Sequence, residues 1–305
     1  MTSDPLARLL TQQRRIVGVR VAASEGVARA VLARAAARGA LRRVHHGLYA
    51  EADWWDQATP WTRYSATVRA VLAGHPGWAA SHHAALTLHG LPLVGVDLTG
   101  LDVAAVVGTS KVRRGVRVHR LLPEHVGVLD REPRALPVAT AAVLTAARSG
   151  IEAGVVAMDA ALHRGSCTRS DLGDALTHPG ARYGIGRARR AVELASSMSE
   201  SPGESRTRLA LGALGLPVRE QADIHDAHGF VGRVDFLVAG RVVVEFDGAV
   251  KYEGCDGRDA LVAEKRREDR LRAAGYAVVR VTWRDLSQPE QLRSRILLAL
   301  ARAAA

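Results

Sequence analysis

The chain has 305 residues, 48% of them hydrophobic, enough for about two or three folded domains and too apolar for long disorder. A formal charge of +11 favours a polyanionic partner, with nucleic acid the default, although 39 of the 42 basic residues are arginine, a bias that GC-rich coding alone can produce. Two cysteines, Cys167 and Cys255, are too few for a zinc cluster or a disulfide framework, and there is neither a signal-peptide pattern nor an apolar run near 18 residues. A soluble, cytoplasmic protein without membrane association is expected.

Residues 5–20 and 24–39 read as helices. The second has Ser24 as N-cap, apolar positions Val27, Val31, Leu32 and Ala35 at helical spacing, and Gly39 as its stop. "ALRRVHHGLYA" then reads as a hairpin turning near His46-Gly47. Two helices followed by a basic β-wing is the order of a winged helix-turn-helix. Arg42, Arg43, His45 and His46 sit where a wing meets phosphates; the plainer reading is a basic surface turn.

The middle of the chain starts near "TPWTRYSATVRAVLAGHPG" and continues into a capped helix, "SHHAALTLHGLPL". Residues 102–107 and 115–121 read as strands joined by the basic turn "GTSKVRRG", and residues 139–197 as mostly helical. His82, His83 and His89 recur on one helix, but no acid or cysteine accompanies them at ligand spacing, so they are taken as structural or surface histidines. Trp54, Trp55 and Trp61 are assigned to the joint between the first two domains, with base stacking as the alternative.

"SMSESPGES" (197–205) is the best linker by composition. Beyond it the pattern alternates: a helix over 204–215, strands over 218–224, 231–238 and 241–247, a basic helix over 259–274, a strand over 276–283 and a helix over 289–304. The expected class is therefore a multi-domain α/β (α+β) protein. Its parts are a winged helix over 1–60, a mixed α/β middle domain over 61–196, and an αβββαβα domain with a central mixed sheet over 197–305.

Within that last domain, "GRVDFLVAGRVVVEFDGAVKYEG" places Asp235, Glu245 and Asp247 among Val, Phe and Leu. Carboxylates in apolar strands are costly to desolvate unless they are paired or bind a metal. Alternation puts Val243, Glu245 and Asp247 on one face, and the short Ala239-Gly240 turn brings Asp235 alongside. Oxygen-only ligands with open positions suit Mg²⁺ or Mn²⁺, which can activate a water for attack on a phosphodiester. The competing reading is an ion-pair network with arginines such as Arg233 or Arg241.

The run "ESRTRLALGALGLP…RVDFLVAGRVVVEFDG…EKRREDRLRAAGYAVVRVTW", covering roughly residues 200–287, resembles the PD-(D/E)XK nuclease superfamily, and within it the very short patch repair endonuclease branch. The resemblance implies a restriction-endonuclease-like fold with Asp235 as principal metal ligand, Glu245 as second ligand and Glu204 as an assisting acid on the first helix. An acid in a first helical turn is equally what the helix dipole prefers. The superfamily's Glu-x-Lys is absent: Asp247 stands at the lysine position. Either Asp247 is a further ligand, with Lys251 or Lys265 supplying the positive charge, or the site is crippled. On the basic helix, Arg266, Arg267 and Arg270 are taken as contacts to the DNA backbone, against the commoner reading of a solvated charged face.

A second resemblance covers the first two-thirds of the chain. "GALRRVHHGLYA" and "SHHAALTLHGLPL" resemble the winged-helix antitoxins and regulators of abortive-infection systems, which implies DNA binding and says nothing of catalysis. Two functions follow as expectations. One is a Mg²⁺- or Mn²⁺-dependent endonuclease acting in repair or in defence against mobile elements. The alternative is a non-catalytic transcriptional regulator or antitoxin with a degenerate nuclease domain. DNA is the expected partner of both, with a toxin or repair protein and a homodimer as further candidates.

Overall fold

The computed structural model describes residues 5–248 and 256–304. The protein is a mixed α+β chain that divides into two compact units: residues 1–157 with 167–192, and residues 158–166 with 193–305. Among the described residues no helix is long and apolar enough to cross a membrane.

The first unit opens with α1 (Pro5–Gln12), β1 (Ile16–Gly18), α2 (Val19–Ser24), α3 (Arg29–Ala37), β2 (Leu41–His45) and β3 (Leu48–Glu51). Strand β3 lies between β1 and β2, all antiparallel. Helix–strand–helix–helix–hairpin with this strand order is the winged-helix arrangement. Its core is Leu9, Val17, Ala22, Val27, Leu32, Leu41 and Tyr49. Two local expectations are corrected. The helix expected over 5–20 breaks after Gln12, because Arg14 and Arg15 take positive φ (51° and 75°) and turn the chain into β1. Ser24 ends α2, with its hydroxyl donating to the Val21 carbonyl, and does not cap α3, whose N-cap is Ala28.

The unit continues with α4 (Ala52–Gln57), α5 (Pro60–Ala73), β4 (Trp78–Ala80), α6 (His82–Leu88), β5 (Leu101–Ala105), β6 (Lys111–Arg113) and β7 (Val116–Arg120). Thr59 caps α5 by accepting the Thr62 N–H, with Pro60 at the first helical position. The four strands form a sheet in the order β4-β5-β7-β6, in which β5 and β7 are parallel. The segment "GTSKVRRG", expected as a turn, contains strand β6, which pairs with β7. The apolar helix α7 (Val138–Ser149) is buried along almost its whole length, and α8 (Ile151–His163), α9 (Arg169–Ala175) and α10 (Ile185–Leu194) follow.

The second unit contains α11 (Pro202–Gly212), β8 (Val218–Asp226), β9 (Gly229–Val238), β10 (Val242–Phe246), α12 (Asp256–Ala273), β11 (Ala277–Val281), α13 (Trp283–Leu286) and α14 (Pro289–Ala304). The sheet order is β11-β10-β9-β8, with β10 and β11 parallel and the other pairs antiparallel. Ala239 and Gly240 both take positive φ, as a tight hairpin turn demands. One core contains Phe236, Val238, Val242, Val244, Leu211, Leu292 and Ile296; another contains Leu237, Val243 and Leu271. The serine-rich stretch that reads as a linker is tied into this unit. Ser199 and Ser205 are buried, the Ser196 N–H donates to Asp159 at 2.7 Å, and the Arg208 guanidinium holds the same carboxylate at 2.6 Å.

Candidate functional site

Three groups of chemistry-bearing side chains stand out, two in the first unit and one in the second.

The first is a cationic patch on the wing. Arg42 and Arg43 are exposed on β2, His45 is half-buried and His46 is exposed at the turn. Arg42 donates to Asp56 at 2.6 Å. Arg43 lies 3.4 Å from His46 Nδ1, and Arg114, from the β6–β7 turn, contacts His46 Nε2. His46 titrates below the usual histidine value, through partial desolvation and then the positive charges of Arg114, Arg43, His45 and Arg29. Helix α3 presents Arg29 and Arg34 to solvent. Arg29, Arg34 and Arg114 carry no motif of their own in the sequence; the first two fall on the exposed side of a helix whose apolar positions mark its other face. Trp54 and Trp55 are half-buried, with Arg63 over the Trp55 ring at 5.4 Å, and Trp61 is 50% exposed.

The second is the set of acids in the second unit. Asp235 Oδ2 accepts the Phe246 N–H at 2.8 Å, which ties it to the end of β10 beside Glu245. Burial raises the Asp235 carboxyl; the Phe246 N–H works against this, and Glu204, Glu245 and Glu200 add to it, leaving a pKa of about 6. Glu245 is held by Arg267 of α12 at 2.6 Å, and the same guanidinium reaches Glu264 and the Arg233 carbonyl. Arg233 and Arg241 point elsewhere, to Glu200 and to the Ala303 carbonyl. Glu204 works as a helix cap: it accepts the Glu200 N–H and the Ser201 hydroxyl while its own N–H donates to Ser201 Oγ. Asp247 is exposed just past β10. Gly203, which sets the entry of α11, meets the Phe246 ring so closely that a Cβ there would overlap it.

On α12, Lys265 and Arg266 are exposed, while Arg270 makes a two-pronged pair with Asp226 at 2.8 Å. Lys251 lies outside the described residues. Asp235, Glu245, Asp247 and Glu204 do not bring three ligand atoms within 4.8 Å of one another, and Arg267 pairs with one oxygen of Glu245.

The third group was not anticipated. His82, Asp102 and His119 form the one set of three His, Cys, Asp or Glu among the described residues whose donor atoms all lie within 4.8 Å of one another. Parallel pairing of β5 with β7 sets Asp102 opposite Arg117 and Ala104 opposite His119. His119 Nε2 lies 2.7 Å from Asp102 Oδ1, and Arg117 and Arg148 approach the carboxylate at 3.4 and 3.9 Å. Asp102 is fully buried. Burial pushes its carboxyl up, but the His119 hydrogen bond and the nearby Arg148 charge work against this, and it is held at about 2. His82 is 4% exposed, and burial first, then neighbouring positive charge, keeps its imidazole neutral. The acid missing from the histidine helix comes from a strand 20 residues further along the chain.

Residues 4–52 match the family described as "Transcriptional regulator, AbiEi antitoxin". Over 216 residues the chain is 31% identical to the uncharacterized proteins MT2308 (strain CDC 1551 / Oshkosh) and Rv2248 (strain ATCC 25618 / H37Rv) of Mycobacterium tuberculosis. The match covers 68% of this chain and 79% of each relative. The chain belongs to the family of these mycobacterial proteins, and its N-terminal residues 4–52 are similar to the AbiEi antitoxin regulators.

Proposed function

We propose that the protein is a DNA-binding transcriptional regulator of the antitoxin kind, whose second unit is a non-catalytic module. The observation that carries this reading is the clustering of Arg29, Arg43, Arg114 and His46 around the wing of a winged helix. Such a patch favours phosphate contacts, and the exposed face of α3 supplies arginines for the adjacent groove. The antitoxin-type N-terminus supports DNA and a toxin protein as partners. The test is fluorescence anisotropy of the full chain on duplex DNA from upstream of its own gene, beside a scrambled duplex, across a salt series. Salt-dependent binding with preference for the upstream duplex is expected; equal, weak binding to both duplexes overturns a regulatory role.

A second reading, a nuclease in the second unit, is favoured by one observation: the Phe246 N–H, at 2.8 Å, ties Asp235 to the end of β10 beside Glu245, where burial first and then Glu204, Glu245 and Glu200 raise its carboxyl to about 6. Arg267 holds Glu245 through Oε1, so a Mg²⁺ or Mn²⁺ ion would have to use the other carboxylate oxygen or displace the arginine. Plasmid cleavage with Mg²⁺, Mn²⁺ or EDTA, beside the Asp235→Ala/Glu245→Ala double variant, decides it. Metal-dependent nicking that the double variant lacks supports a nuclease, and its absence removes this reading.

A further inference from the structure

We infer that His82, Asp102 and His119 form a binding site for a divalent transition metal, of which Zn²⁺ fits the donor set best.

The three donors come from three elements: the first residue of α6, strand β5 and strand β7. One donor atom of each lies within 4.8 Å of the other two, so small side-chain adjustments bring them to a common ion at about 2.0–2.2 Å. Two imidazoles with one carboxylate suit zinc and its neighbours, whereas Mg²⁺ and Ca²⁺ prefer all-oxygen sites. Ser81 Oγ lies 2.9 Å from His82 Nδ1, so with the hydroxyl bonded there Nε2 is the ring nitrogen available to an ion, while an ion would replace the present His119 Nε2–Asp102 hydrogen bond.

One charge-assisted bond is closed, His119 Nε2 to Asp102 Oδ1 at 2.7 Å, while Arg117 and Arg148 stand back from the carboxylate at 3.4 and 3.9 Å, so neither arginine completes a tight ion pair with it. His82 also takes φ +48°, a left-handed conformation that costs a non-glycine residue energy and persists only where its surroundings impose it. The access route is a cavity of about 570 Å³ lined by both histidines together with Arg120, Arg148 and Arg187. Those arginines oppose a bare dication. The buried Asp102 carboxylate is the donor that would offset them, and the cavity would leave room for a water or other small ligand beside an ion held by the three side chains.

The experiment uses the full chain stripped with EDTA and titrated with ZnCl₂ by calorimetry, with Co²⁺ absorption as a second readout on the unaltered chain. One Zn²⁺ per chain is expected, with a Co²⁺ spectrum showing nitrogen ligation. His119→Gln, at a position 25% exposed in its side chain, is expected to weaken Zn²⁺ by about 100-fold or more, and Glu290→Gln, at an exposed position in the second unit, is expected to leave it unchanged. No stoichiometric Zn²⁺ site, an oxygen-only octahedral Co²⁺ spectrum, or unchanged affinity in His119→Gln each overturns the proposal. The Co²⁺ result stands even if the variant fails to fold. None of these outcomes depends on DNA binding, so this site and the regulatory reading fail independently.

Discussion

Arg267 of α12 donates to Glu245 of β10 at 2.6 Å, joining the basic helix to the sheet beside the buried Leu271. Both side chains are mostly withdrawn from solvent, at 23% and 15% exposure. Removing one partner leaves a desolvated charge without compensation. Arg267→Ala is therefore expected to lower stability by about 1–3 kcal/mol, read as a fall in the urea midpoint. A midpoint unchanged within error contradicts a structural role for the pair.

The approach of Gly203 to Phe246 admits no side chain. Gly203→Ala forces α11 away from β10 and is expected to cost about 1–3 kcal/mol. Gly203→Ala combined with Phe246→Leu, which makes room, is expected to recover part of it in thermal melts.

Asp235 gives a pH signature. Its carboxyl in the folded protein titrates at about 6, above the ordinary aspartate value of 3.8. The protonated group is the one the fold favours, so its contribution is complete below the unfolded value and is lost as pH rises through 6. Wild-type urea midpoints are expected to lose stability between pH 4 and 6 from this group, and Asp235→Asn to flatten that part of the profile. Equal slopes in both proteins would count against the placement.

Replacing wing arginines tests the DNA interface through salt. An arginine that touches one phosphate adds about 1 to the slope of log K against log salt. Arg43→Ala is expected to reduce the slope by that full amount. Arg42→Ala is expected to reduce it less, because Arg42 is already engaged by Asp56. Arg29→Ala is expected to behave like Arg43→Ala if α3 and the wing meet the same duplex.

His46 adds a pH dependence to the same interface. Partial desolvation and neighbouring positive charge hold it below the usual histidine value in the free protein, and a nearby phosphate raises it. Affinity for duplex DNA is therefore expected to rise as pH falls between about 7 and 5, and His46→Ala to remove that rise in anisotropy titrations.

The second unit was legible in the sequence because amphipathic alternation and turn residues carry strand and helix identity locally. The strands expected over 218–224, 231–238 and 241–247 appear as Val218–Asp226, Gly229–Val238 and Val242–Phe246. The break at Arg14 and Arg15 was not legible, since neither glycine nor proline marks that turn. The partner of Glu245 was also hidden. Arg233 and Arg241 were the nearby choices, while the partner comes from a helix 22 residues away. The His82, Asp102 and His119 group shows a missed signal rather than an absent one. "LDVAA" places a lone carboxylate in an apolar strand, the same anomaly that draws attention to Asp235, and "VRVHR" alternates valine with Arg117 and His119. No local spacing links these residues, because the sheet register brings them together.

The buried Asp159 belongs to the second compact unit but stands in the middle of α8, well upstream of the rest of that unit. Arg208 and the Ser196 N–H both depend on it. A fragment beginning at residue 197 keeps the arginine and leaves the acid behind. The second unit is therefore not a continuous stretch of chain: any fragment meant to fold as that unit has to carry α8 along with the sheet.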